Sequence, residues 1–169
     1  MGIRRAAARL TCLAALGAAS SASAACAPDT VELRGPAGTV SRFHVEVADD
    51  GAERSQGLMF RDSMAKSAGM LFVYDTPQHA TFWMKNTLIP LDMVFADETG
   101  TVTRVHAKAK PQDVTLIDGG EGVRFVLEIN GGLAGPLGIA EGAVMRSPRP
   151  CPAAGSSARP QPVNRSPRC

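Results

Sequence analysis

Thr81-Phe82-Trp83-Met84-Lys85-Asn86-Thr87-Leu88-Ile89-Pro90-Leu91-Asp92-Met93-Val94-Phe95-Ala96-Asp97 holds the only tryptophan of the 169-residue chain. It reads as two short strands around a bend. Ala80 to Lys85 reads as a strand with Phe82 and Met84 on one face, and Leu91 to Ala96 is an apolar run of strand length. Pro90 separates the two, since it lacks an N–H and holds Ile89 in extended geometry. Lys85, Asn86 and Asp92 stand among large apolar side chains, and polar groups buried in such company need partners. The cluster is therefore either a structural network or a site.

Outward from this stretch the same short-strand pattern continues. Val31 to Leu33 and Arg42 to Val47 read as strands, the second with Phe43, Val45 and Val47 alternating against Arg42, His44 and Glu46. Asp49-Asp50-Gly51 offers carboxylate caps to a helix over Ala52 to Phe60, with Leu58, Met59 and Phe60 toward the core. A second helical turn is expected from Arg61 to Lys66. Met70 to Tyr74 is an apolar strand turned by Thr76-Pro77, Thr101 to Ala109 alternates, and Pro111 to Gly122 reads as a long polar loop. Arg124 to Ile129 and Ala143 to Arg146 complete the set. The expected class is α+β and β-rich: a mostly antiparallel sheet or partial barrel with one or two short helices.

The ends have a different composition. Arg4, Arg5 and Arg9 precede an apolar run, Leu10 to Ala19, and then Ala22-Ser23-Ala24. This is the pattern of a secretory signal peptide over residues 1–25, and the expected location is periplasmic or secreted. Lipidation of Cys26 is the weaker alternative, because Ser23 stands where a lipoprotein signal usually has Leu. No other apolar run reaches membrane-spanning length. From Ser147 to Cys169 the chain is rich in Pro, Ser and Arg and is expected to be disordered. Residues 26–146 remain as a single domain.

Removing the three arginines of the leader and the four of the tail from the net +2 leaves the domain near −5. An acidic domain lacks the clustered cations that a nucleic-acid surface requires. Cys26, Cys151 and Cys169 follow the leader. A Cys26–Cys151 disulfide and unpaired tail cysteines are both open readings.

Gly57-Leu58-Met59-Phe60-Arg61, Gly69-Met70-Leu71-Phe72, Phe82-Trp83-Met84-Lys85-Asn86-Thr87, Ile89-Pro90-Leu91-Asp92 and Leu127-Glu128 fall in order at spacings that resemble the prokaryotic family named domain of unknown function 192. The resemblance spans Thr39 to Arg146. It implies a small, single-domain, β-rich and often exported protein, and it brings no accepted activity, cofactor or catalytic residue. Where members often have Gly-Asp before the last strand, this chain has Gly142-Ala143.

The polar set with the most chemistry is Arg54, Lys85, Asn86, Asp92 and Glu128, beside Trp83. Read as a site, Lys85 is a cation for an anionic or carbonyl group, Asn86 an orienting donor, Trp83 a stacking floor, and Asp92 or Glu128 a base. Read as scaffold, Asp92 and Glu128 pair with Arg54 or Lys85, and Asn86 caps the turn at Thr87. His44, His79 and His106 with the methionines show no metal-ligand spacing, and no metal or other cofactor is expected. Neither a nucleophile elbow nor a phosphate loop is present. Two functions follow. One is a binding or accessory module for a small or cell-envelope ligand. The other is a small enzyme using Asp92 or Glu128 as base with Lys85 as electrostatic partner. A third possibility is docking of the basic tail on an anionic envelope surface.

Overall fold

The computed structural model describes residues 29–146. The leader (1–25), the tail (147–169) and Cys26, Cys151 and Cys169 lie outside the described residues. Seven strands and one helix follow in the order β1 (Thr30–Arg34), β2 (Val40–Ala48), α1 (Gly51–Gln56), β3 (Ala68–Phe82), β4 (Leu91–Ala96), β5 (Val102–Ala109), β6 (Ile117–Asn130) and β7 (Val144–Arg146). They form one curled sheet in the order β5-β4-β6-β3-β2-β1-β7. Every neighbouring pair is antiparallel except β2 with β3, which run parallel and are joined through α1. The curl brings the two ends of the sheet together. Thr101 bridges Val144, Val102 N–H donates to Ala143 O (2.8 Å), and Met145 N–H donates to Gly100 O (2.7 Å).

Both faces of the sheet are apolar, and each builds its own core. One carries Val31, Leu33, Phe43, Leu71, Val94 and Leu127, closed by Ala134, Ile139 and Met145. The other carries Met70, Phe72, Met93, Phe95 and Val126, covered by Leu58, Met84 and Ile89. A strand buried on both sides loses alternation, which is why all six residues of β4 are buried.

Several expected elements differ in detail. The helix stops at Gln56 instead of running to Phe60. Gly57, at φ 50° and ψ −136°, ends it, and its N–H closes the last turn on Glu53 O (2.8 Å). Asp50 caps the start, accepting from the N–H groups of Ala52 and Glu53. Beyond Gly57, Leu58 is buried as expected, but Phe60 is 68% exposed at φ 64°. Its N–H is taken by Asn86 O (2.8 Å), which fixes the backbone turned outward. Arg61 to Lys66 forms no helical turn. Arg61 instead makes a two-pronged ion pair with Glu46 on β2.

Thr76-Pro77 does not end a strand. β3 runs through it, and the ladder to β6 breaks between Val73 and Gln78, where a proline without N–H is tolerated. The polar loop after Pro111 is shorter than expected, because β6 begins at Ile117 and includes Gly119 to Gly122. A Cβ on Gly119 would stand 2.4 Å from the Phe95 ring, so only glycine lets β6 pass over it.

Candidate functional site

Glu128 lies near the C-terminal end of β6 and faces the second core. Its cross-strand partners are Met70 on β3 and Met93 on β4, and paired residues share a face. The side chain is 4% exposed. Burial alone pushes its pKa up to about 8, with no neighbouring hydrogen bond or charge to offset the loss of hydration. At neutral pH it is therefore mainly a carboxylic acid, able to donate as well as accept.

The carboxyl lines a cavity of about 110 Å³. One wall is the end of α1 and the turn after it, from Arg54 to Met59. β3 contributes Phe72, Tyr74, Thr81 and Phe82, and half-exposed Trp83 and buried Thr87 complete the lining. Phe72 and Phe82 meet edge to face with ring centroids 5.2 Å apart, and Phe82 meets Phe95 in the same manner at 5.8 Å. These contacts hold the aromatic wall.

Arg54 is fixed by backbone. Its Nη1 donates to Val73 O (2.9 Å) and to Asp49 O, and its guanidinium lies 5.4 Å from the centre of the Tyr74 ring. Burial raises the Tyr74 pKa. The Arg54 charge opposes this shift and Glu128 adds to it. Trp83 is 45% exposed, and Lys85 Nζ stands 5.1 Å from its ring centre. Among the described residues, neither Arg54 nor Lys85 is paired with a carboxylate.

The six sequence candidates thus divide. Arg54, Trp83 and Glu128 line one cavity. Lys85 covers the outer part of Trp83 from the next turn. Asn86 supports that turn. It sits at φ 58°, its carbonyl holds Phe60 N–H, and its Nδ2 lies 3.8 Å from Met59 sulfur, so it does not cap Thr87. The turn is closed by Thr87 N–H on Met84 O.

Asp92 is on the other face of the sheet, opposite Ile129. It is fully buried, and its carboxylate accepts from three backbone N–H groups: Lys108 (2.7 Å), Gly132 (2.8 Å) and Ala134 (2.7 Å). It therefore pairs with neither Arg54 nor Lys85. Lys108, at φ 56°, is the extra residue of a bulge in β5, and Asp92 satisfies the N–H that the bulge frees.

Tyr74, Phe72 and Phe82 escaped the sequence reading. Their signal was the alternation Met70, Phe72, Tyr74 along β3, the face that meets Glu128. Among the described residues no group of three or more His, Cys, Asp or Glu could hold a metal ion, and no helix is long and apolar enough to cross a membrane.

The family model described as "Uncharacterized ACR, COG1430", domain of unknown function 192, matches residues 33–147. No curated protein matches the chain. A crystal structure of a protein of unknown function from Novosphingobium aromaticivorans DSM 12444 is 41% identical, with a TM-score of 0.67, over 69% of this chain and 83% of the other. A crystal structure described as "a putative transcription regulator" from Sinorhizobium meliloti 1021 is 39% identical, with a TM-score of 0.68, over 69% of this chain and 91% of the other.

Proposed function

This chain belongs to the domain of unknown function 192 family, and from that premise we propose that it is an exported module that binds a small or cell-envelope ligand in the cavity of Arg54, Trp83 and Glu128. One observation carries the reading. Glu128 is a buried acid whose carboxyl makes no hydrogen bond or ion pair among the described residues, and it opens into a cavity. An unpaired buried carboxyl is costly in a scaffold, whereas a ligand that bonds to it removes that cost. The aromatic wall and the half-exposed Trp83 supply the apolar contact area of a small-molecule site. Export rests on the leader pattern of residues 1–25.

A role in transcription regulation is not carried over from the Sinorhizobium protein, because the domain is acidic. The second reading is a small enzyme with Glu128 as base and Lys85 as electrostatic partner. A carboxyl titrating near 8 suits proton transfer near neutral pH. Asp92 has no part in it, since its lone pairs are directed at three backbone donors.

Trp83 is the chain's only tryptophan, so its emission reports on the cavity alone. A ligand screen read by that emission, repeated on Glu128→Ala, tests the binding reading. Ligands that shift the emission of the parent protein and lose affinity in the variant support it. A screen in which every response survives Glu128→Ala removes the cavity from the function. Cell fractionation and N-terminal sequencing of the mature protein test export.

A further inference from the structure

Building on the binding reading of this cavity, we propose that its ligand is a small hydroxy- or oxo-carboxylate, with the carboxylate on Arg54 and the second oxygen on Glu128. The charge inventory favours an anion. Arg54 is the only cation and Glu128 the only carboxyl among the lining residues, and Glu128 is mainly uncharged at neutral pH. Arg54 therefore faces the cavity without a counterion. Its Nη1 is committed to the Val73 and Asp49 carbonyls, and the rest of the guanidinium fork is left for a planar, two-oxygen partner. Lys85 adds a second unpaired cation above Trp83. In a domain of net charge near −5, this is a local positive site.

The same geometry disfavours a cationic ligand. Aromatic rings beside a carboxyl resemble an ammonium cage, but Arg54 already lies over Tyr74 and Lys85 over Trp83. A neutral polyol would leave Arg54 unmatched. Glu128, whose carboxyl makes no hydrogen bond among the described residues, presents an acid O–H that suits a hydroxyl or carbonyl oxygen. The cavity, about 110 Å³, admits only a few heavy atoms. Arg54 and Tyr74 line the cavity with Glu128, and its cross-strand neighbours Met70 and Met93 are apolar, so ionisation of Glu128 is the change that would repel a bound anion below the range where Tyr74 titrates.

The test is titration of the full chain with millimolar sodium lactate and sodium pyruvate, against lactamide, methyl glucoside and propylammonium, read by Trp83 emission and saturation-transfer NMR. Lactate or pyruvate is expected to bind at least tenfold more tightly than lactamide. Affinity should fall at least tenfold between pH 6.5 and pH 9.5, and Glu128→Gln should abolish that fall. Arg54→Gln should erase the preference for acid over amide, with a thermal melt to confirm folding. The lactate–lactamide comparison on the parent protein needs no variant. Equal affinity for lactate and lactamide, or binding of methyl glucoside or propylammonium instead, would overturn the carboxylate assignment and leave the binding reading standing. Silence from all five probes would overturn the assignment and count against the cavity itself.

Discussion

Asp92 and Glu128 project from opposite faces of the same sheet. Asp92 pairs across the ladder with Ile129, and Glu128 with Met93, one residue out of step. Two buried carboxyls on neighbouring strands therefore have different neighbours. Asp92 accepts from three backbone N–H groups, whereas the Glu128 carboxyl makes no hydrogen bond among the described residues.

Glu128 makes the fold pH-dependent. Its folded pKa of about 8 lies above the unfolded value near 4.5, so the native state binds the extra proton between them. Stability is fully present below about pH 4.5, declines as pH rises toward 8, and levels off above it. The slope approaches about 1.4 kcal/mol per pH unit. Glu128→Gln should flatten it, so the variant's advantage in urea denaturation grows from pH 5 to pH 8. Parallel curves for the two proteins would show that Glu128 is ionised in the native state.

Asp92→Ala should be among the most damaging substitutions in the domain. It orphans three backbone N–H groups, one buried and two part-buried, each costing up to about 1–3 kcal/mol. The expected loss is roughly 3–5 kcal/mol by chemical denaturation. Asp92→Asn keeps one acceptor oxygen and should lose less. A loss under about 1 kcal/mol for Asp92→Ala would mean that the bulge and the Gly132 loop are held otherwise.

Gly119→Ala tests the passage of β6 over Phe95. The added methyl would meet the ring at 2.4 Å and Ala80 O at 3.0 Å. Overpacking of this kind costs about 1–3 kcal/mol. Phe95→Leu in the same chain should recover part of the loss, so that the two substitutions together cost less than their sum. Additive losses would place the strain elsewhere.

His79 should titrate above its ordinary 6.5. Its ring bonds to Glu121 (2.8 Å), with Asp118 at 3.1 Å. The stabilisation is present below pH 6.5 and is lost as pH rises through the folded value. NMR titration of the ring protons should show a raised midpoint, and Glu121→Gln should lower it toward 6.5. An unchanged midpoint in the variant would assign the shift to Asp118.

Much of the sheet was legible because alternation and turn residues are local signals. Arg42 to Val47 and Asp97 to Gly100 lie where the pattern puts them. Phe60 was not, since the hydrogen bond that turns it outward comes from Asn86, 26 positions away. Nor was the separation of Asp92 from Glu128. Each is a lone acid in an apolar run, and its face is set by register with another strand, which composition does not record. The parallel pairing of β2 with β3 was hidden for the same reason.

The junction of Thr101 with Val144 makes the molecule a split ring fastened by a clasp three residues long. β7 spans the gap between β1 and the start of β5. Opened there, the chain would keep its site, which sits on β3, β6 and α1, and would bare two strand edges ready to recruit a foreign strand. Its vulnerability to self-association would thus be concentrated at Val144 to Arg146, on strands other than those that carry the cavity.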